Sequence, residues 1–596
     1  MGVSVSNTYS MGRVSVQNLA GSFVGGLIGA SDADLDHNYW DLETSGVSDP
    51  AQGCGNQKDC LGVTGLTDAQ LKSGLPPGFD PSLGSIPEHQ QRLSVSARQP
   101  AAMIPRENMK TRLVLFVATL VAFHGSSPAL ARHSAIVISN DPTQNMNCSA
   151  GACSPTDYNA VLNVTDLENL LASSDVTINN KFYGKHVKIV QEIDVIASLN
   201  WSTSSKLTLG TDYSAYVQFD SSISVLGEGG LIAPGSASFA NDVTVTFASV
   251  ASVLSLGGHT YTLVVDFPTL ASDIAANAKG FFALANDYDA ANDQFISAPI
   301  ETLSGTLLGL GHTISNLSIP KGHKFCEGMV AENEGAIYHL NLSSVSVVLD
   351  KKSQYVGGLA GCNRSSLYDV TVSGQITGTS DSDAGGIAGI NYSSIRTARS
   401  SAMVTGGQAG GIAGQNNSGV SYASASGPVN GVIDSGGLVG NNSQYIDHSF
   451  ATGSVSGNKN NTGGLAGSNR GQIQNSYAMG SVNGAAGAAG GFVGYNVGSV
   501  QYAYSVGATS GGKKYTGGFA GYDANEAIDT AYWDVDTSGI SNPADGAGFP
   551  KYDPGITGLR TKQLRSSLPL GFSKKDWAED PNINNGYPYL RANPPQ

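Results

Sequence analysis

Apolar and polar positions alternate with a period of two along most of this chain, in short runs broken by glycine. The segment GQIQNSYAMGSVNG (471–484) is representative. Such alternation predicts short, half-buried strands, and the lack of a sustained 3.6-residue period argues against helical repeats. A longer repeat is superimposed on it, the unit Gly-Gly-apolar-Ala/Val-Gly-x-Asn. It reads GGLAGCN (357–363), GGIAGIN (385–391), GGIAGQN (410–416), GGLVGNN (436–442), GGLAGSN (463–469), GGFVGYN (490–496) and GGFAGYD (517–523). Successive starts differ by 28, 25, 26, 27, 27 and 27 residues, a period within the range of solenoids and arrays.

One such unit cannot bury its inward face alone. Stacked about 4.8 Å above its neighbour, it pairs its backbone and merges its apolar positions into a continuous core. The glycine pairs permit positive φ at tight corners. The repeated asparagine tolerates the left-handed conformation and predicts a stacked amide ladder through Asn363, Asn391, Asn416, Asn442, Asn469 and Asn496. The expected fold is therefore all-β, a right-handed parallel β-helix (β-solenoid) with a capped C-terminus. A helix is expected at DLENLLAS (166–173).

The repeat resembles the GLUG motif of large bacterial surface proteins, some immunoglobulin-A peptidases among them. Upstream, LNWSTSSKLTLGTDYSAYVQFDSSISVLGEGGLIA (199–233) and ETLSGTLLGLGHTISNLSI (301–319) resemble coils of filamentous-haemagglutinin-like exoproteins. Together the resemblance covers roughly Val161 to Leu590. It implies a secreted or surface-associated, adhesin-like solenoid that presents a repetitive binding face to a host or cell-surface glycan or protein, without catalysis. The alternative is the stalk or passenger of a secreted polysaccharide-degrading enzyme or protease. Residues 132–160 depart from the secretion domain of two-partner exoproteins.

Within the chain, MKTRLVLFVATLVAFHGSSPALA (109–131) has the basic, apolar and small-x-small regions of a signal peptide, with cleavage expected between Ala131 and Arg132. The apolar run is too short to span a bilayer, and no transmembrane span is expected in the mature chain. Ahead of it, NYWDLETSGVSDP (38–50) and GVTGLTDAQLKSGLPPGF (62–79) resemble the chain's own AYWDVDTSGISNP (531–543) and GITGLRTKQLRSSLPLGF (555–572). Residues 1–100 thus read as the leftover tail of a tandem paralogue. The expected order is then signal peptide 109–131, N-terminal cap 132–165, haemagglutinin-like coils 166–325, GLUG coils 326–530 and C-terminal cap 531–596. About fifteen coils would give a rod on the order of 70 Å.

Composition narrows the function classes. Glycine is 76 of 596 residues and charged residues are 13%, the first well above and the second about half the average. A net charge of -15 disfavours nucleic acid, whose phosphates need clustered Lys and Arg. The six cysteines fall as Cys54/Cys60, Cys148/Cys153 and Cys326/Cys362, without zinc spacing. Cys148 and Cys153 close a short loop and are a plausible disulfide in an exported chain. Aligning EGMVAEN (327–333) with GGLAGCN places Glu332, not Cys326, opposite Cys362. Six extended residues span about 20 Å, so Cys326 and Cys362 are expected as buried free thiols unless the chain bends.

No catalytic grouping emerges. Asp434-Ser435-Gly436-Gly437 resembles a serine-protease nucleophile tetrapeptide, but it is the repeat in frame and no histidine stands in a protease context. Asp534, Asp536 and Asp545 fit part of a calcium loop, which Pro543 interrupts; the acids also simply make turns. Acidic residues are sparse in the repeats and are not expected to recur at ladder positions: the offset of Asp381 and Asp383 gives Ser353 and Tyr355 one unit earlier and Gly406 and Gln408 one unit later. No cofactor is expected.

Overall fold

The computed structural model describes residues 4–6, 9–10, 34–36, 38–41, 63–67, 135–183, 188–190, 192–350 and 354–595. The signal-peptide segment, the Ala131/Arg132 cleavage pair, Cys54 and Cys60 lie outside these. The chain forms two units, Met1–Phe116 and Val117–Gln596.

The larger unit is nearly all β and winds into a parallel solenoid of about 15 turns. Each repeat supplies three faces. The residues before the glycine pair form an eight-stranded sheet, those after it a nine-stranded sheet, and the longer runs between repeats build the third, widest face. Strand pairing follows the repeat register throughout, as in Ala413↔Val439 and Asn416↔Asn442. The apolar residue after each glycine pair points inward: Leu359, Ile387, Ile412, Leu438, Leu465, Phe492 and Phe519 are all fully buried. Burying this continuous stripe, at roughly 25 cal/mol per Å² of apolar surface, favours the stacking of the turns.

Neither the paired glycines nor the ladder asparagines take the positive φ expected of them; the glycines of the repeat have a steric reason instead. A Cβ on Gly467 would lie 2.5 Å from the backbone nitrogen of Ser435 and 2.7 Å from the carbonyl of Gly440. Gly389, Gly414 and Gly494 stand equally close to Val356, Ala384 and Thr462 on the preceding turn. The sheets before and after the corner therefore meet backbone to backbone, with no room for a side chain.

The asparagines form an unbroken buried ladder. Asn391 Nδ2 donates to Asn416 Oδ1 at 2.8 Å, Asn416 to Asn442 at 2.7 Å, Asn442 to Asn469 at 2.8 Å and Asn469 to Asn496 at 2.7 Å. The ladder starts one turn before the glycine-pair units, at Asn333, and ends on a carboxylate, Asp523. Donors all point toward that end, so the aligned amide dipoles present their positive pole to Asp523.

A second column was not foreseen. His339, Asp369, Thr397, Tyr422, His448, Asn475, Tyr502 and Thr530 all adopt positive φ between 43° and 54°, one per turn, where the wide face bends. The bend lets neighbouring side chains of this column stack, as Tyr422 does on His448 at 5.1 Å. Positive φ at non-glycine residues costs free energy, which the parallel pairing on both sides of the bend offsets.

The N-terminal part of the unit carries the anticipated helix at Val164–Leu171, capped by Asn163 Oδ1. A second helix, Phe267–Ala276, has Asp266 as N-cap and a proline in its first turn. That signature is legible in DFPTL, although period-two alternation around it hides it. Cys148 and Cys153 are bonded to each other across an antiparallel strand pair.

Cys326 and Cys362 are also bonded, with Cα atoms 5.5 Å apart, which corrects the free-thiol expectation. The register reading stands, since Glu332 does pair with Cys362. The error lies in treating 326–332 as extended. Cys326–Glu327 and Val330–Asn333 are strands of different sheets, and the corner between them folds Cys326 back over the neighbouring turn.

Residues 531–595 fold back onto the solenoid. Segment 545–549 continues the glycine corner, with Phe519 N donating to Gly546 O at 2.8 Å. The chain then runs back along the wide face, over a column of stacked rings, Phe450, Tyr477 and Tyr504. Trp577 and Leu590 are fully buried against them. Asn593 reaches the carbonyls of Ala423 and His448, and Asp576 lies 3.4 Å from His448.

In the smaller unit, Asn38–Asp41 pairs with Val63–Leu66 in the register Tyr39↔Thr64, Trp40↔Gly65. The larger unit pairs Tyr532↔Thr557 and Trp533↔Gly558 in the same way. Tyr9↔Tyr39 likewise matches Tyr504↔Tyr532. The two copies of the motif thus share strand pairing as well as sequence.

Candidate functional site

The backbone contact at the glycine corner brings two columns side by side, several of whose members, such as Ile390 and Ser468, are buried. On the sheet before the glycines, Tyr355, Asp383 and Gln408 are in register. Asp434 and Asn461 precede the next pairs, Ala409↔Ser435 and Ser435↔Thr462, and Ala488↔Tyr515 closes the column. On the sheet after the glycines run Ile390, Gln415, Asn441, Ser468, Tyr495 and Tyr522. The strip between them is polar in its middle and aromatic at its C-terminal end.

Asp383 and Asp434 sit in one column two turns apart, which corrects the expectation that carboxylates do not recur at ladder positions. Both are nearly buried, at 7% and 8% exposure, and each is held by an amide one turn on. Gln408 Nε2 donates to Asp383 Oδ1 at 2.8 Å and Asn461 Nδ2 to Asp434 Oδ1 at 2.9 Å. Burial pushes the Asp383 carboxyl up to about 7, against the hydrogen bond from Gln408, with the charge of Asp434 adding to the rise. Asp434 is raised as well, again chiefly by burial. Arg470 reaches Asn441 Oδ1 at 2.8 Å across the strip.

A pH dependence follows. The native Asp383 keeps its proton until about pH 7, whereas an unfolded aspartate releases it near pH 4. The native state therefore binds more protons across that window, and stability declines as pH rises through it. Asp383→Asn keeps the acceptor for Gln408 and removes the titration. The variant should match the parent near pH 4 and exceed it at pH 8 by up to about 4 kcal/mol, measured by urea unfolding at both pH values. Equal parent stability at pH 4 and 8, with no gain from Asn, would contradict the burial argument.

The remaining sequence candidates fall elsewhere. Ser435 points inward and is fully buried, and its hydroxyl has no partner, so it cannot act as a nucleophile on an outside substrate. The Asp534 carboxylate is taken up by the hydroxyls of Thr561 and Tyr587, each at 2.7 Å, and by the backbone nitrogen of Asp536. Asp536 pairs with Arg560 at 2.5 Å, and Asp545 supplies its backbone carbonyl to Gly518. Asp534 and Asp536 fasten the returning segment to the last turn. Among the described residues no three His, Cys, Asp or Glu converge as a metal site.

At the aromatic end, Tyr522 stacks on Tyr495 at 5.2 Å and on Phe549 at 5.0 Å, and Tyr515 meets Tyr522 edge-on at 5.1 Å. Lys514 lies 5.6 Å from the Tyr515 ring. Phe549 is 45% and Tyr552 is 71% exposed. The Tyr positions could be read from the repeat, where x in Gly-x-Asn is Tyr in the last two units. Phe549 lies outside any repeat signature and only the fold brings it there.

No family model matches the chain. Halomucin of Haloquadratum walsbyi is 26% identical over 412 residues, which are 63% of this chain and 4% of halomucin. The chain thus spans a small fraction of that relative. Among solved structures, a candidate immunoglobulin A1 protease from Bacteroides ovatus matches with 18% identity and a TM-score of 0.33, over 56% of this chain and 93% of that one.

Proposed function

We propose that this chain is a non-catalytic, adhesin-like solenoid of the GLUG-repeat, filamentous-haemagglutinin-like kind, secreted or held at the cell surface, that binds an extended glycan along its glycine-corner strip. The observation that carries this reading is the strip itself. Amide and carboxyl groups recur once per turn and lead into stacked, partly exposed rings, and the two carboxyls present are tied to amide partners. Repeated weak contacts along a rod suit a polymer with a repeating unit, because many modest interactions add along one ligand. Among the described residues no helix is long and apolar enough to cross a membrane. The likeness to a small part of halomucin is compatible with a repetitive surface role.

One observation favours the other reading, a stalk or passenger of a polysaccharide-degrading enzyme or protease. Asp383 and Asp434 share a face, and paired carboxyls are what glycan hydrolysis uses. The experiment is a screen of the purified protein against glycans and matrix proteins, with product analysis on every bound glycan. Binding without cleavage is expected. Turnover that disappears in Asp434→Asn would replace this reading with the enzymatic one.

A further inference from the structure

Resting on the glycan-binding reading, we infer that the aromatic end of the strip takes an anionic polysaccharide, a chain of hexuronic acids. Three features meet there. The Tyr495, Tyr522 and Phe549 stack ends on Phe549, whose one face is covered by Tyr522 while 45% of the residue stays open to solvent. Tyr552, three residues on, is more exposed still. Apolar ring faces beside hydroxyl groups suit the C–H face of a pyranose, which has the same mixture of apolar and polar edges.

The charge around these rings decides the class of sugar. Lys513 and Lys514 lie in the loop before Tyr515, and Lys551 lies between Phe549 and Tyr552. All three are exposed, and among the described residues none has a carboxylate partner. In a chain of net charge -15, three unpaired lysines around one set of rings form a local positive site. Of the acids close in sequence, Asp523 and Asp553 are buried and turned to one another, and Glu526 is exposed. A neutral sugar would leave the ammonium groups unused. A uronate chain offers a carboxylate on each ring, so stacking and charge pairing are met together. A protein ligand would need an apolar partner surface larger than two exposed rings supply.

The test uses the full-length protein with polygalacturonate and with its fully methyl-esterified form, which has the same backbone without the charge. Polygalacturonate should bind at least about tenfold more tightly, and the preference should fade in high salt. Lys514→Gln combined with Lys551→Gln should remove the preference, and Phe549→Ala should weaken both polymers. Circular dichroism and melting of each variant confirm folding, and as surface changes the lysine variants should melt with the parent. Equal binding of both polymers, or an unchanged preference in the lysine variant, would overturn the anionic assignment and leave glycan binding intact. Equally tight binding of polyglutamate that ignores Phe549→Ala would also overturn it, by reducing the site to charge alone. No binding of any glycan by the parent would instead remove the reading on which the inference rests.

Discussion

Gly467→Ala should destabilise the solenoid by about 3 kcal/mol or more, although it adds one methyl group. Its Cβ would stand 2.5 to 2.8 Å from three backbone atoms, those of Ser435, Gly440 and Asp434. No side chain can rotate away to make room. Relief requires the two sheets at the corner to move apart, which stretches the pairing of several turns at once, and overpacking on this scale is costly. Gly419→Ala is the matched control, since nothing lies within 4 Å of its Cβ and its effect should stay within about 0.5 kcal/mol. Denaturant unfolding of the two variants measures the difference. If Gly467→Ala unfolds with the control, the corner sheets are not in backbone contact and the strip beside them has a different geometry.

Trp577→Ala should cost about 3–5 kcal/mol and should free the closing segment before the rest unfolds. Trp577 is fully buried and lies 6.1 Å from the Tyr477 ring, 5.9 Å from Tyr504 and 4.5 Å from Phe572. It thereby joins two turns of the wide face to the returning chain. Beyond the smaller apolar contacts of Phe572, Tyr587 and Leu590 in the same cluster, the segment is tied by individual hydrogen bonds, such as Tyr504 Oη donating to Pro588 O at 2.5 Å and Tyr532 Oη to Leu570 O at 2.7 Å. Each contributes about 1 kcal/mol, too little to replace the lost apolar contact. Limited trypsin digestion should cut at Lys574 and Lys575 early in the variant and late in the parent, while residues before 560 stay intact in both. Cleavage spread evenly over the solenoid would show that the segment is not a separable unit.

Much of this molecule was legible because parallel stacking turns sequence offset into spatial neighbourhood. Residues one repeat apart become partners, so the asparagine ladder, the inward Leu, Ile and Phe positions and the pairing of Glu332 with Cys362 could be read from the repeat. The repeated YWD and TGL motifs likewise pair in one register in both units. Asp383 and Asp434 were missed by comparing only adjacent repeats. They lie 51 residues apart, the sum of one 25-residue and one 26-residue spacing, with Gln408 between.

Contacts that leave the stacking direction were not legible. The bond between Cys326 and Cys362 depends on the angle of a corner, and a strand-length estimate has no term for that angle. The bend that gives His339, Tyr422 and His448 positive φ is set by the two straight runs it joins, not by those residues' own preferences. The returning segment brings Asn593 to Ala423, 170 residues earlier, and its Trp and Pro-rich composition does not say which face it covers. By itself the sequence determined the solenoid, its period and its ladders, since these follow from identical units stacking one above another. Only the tertiary structure decided which columns lie beside each other across a corner, and so placed Asp383 and Asp434 in one polar strip and Phe549 beside Tyr522. Lateral neighbourhood depends on the turning of the backbone between sheets, and that turning is fixed by packing that no single repeat contains.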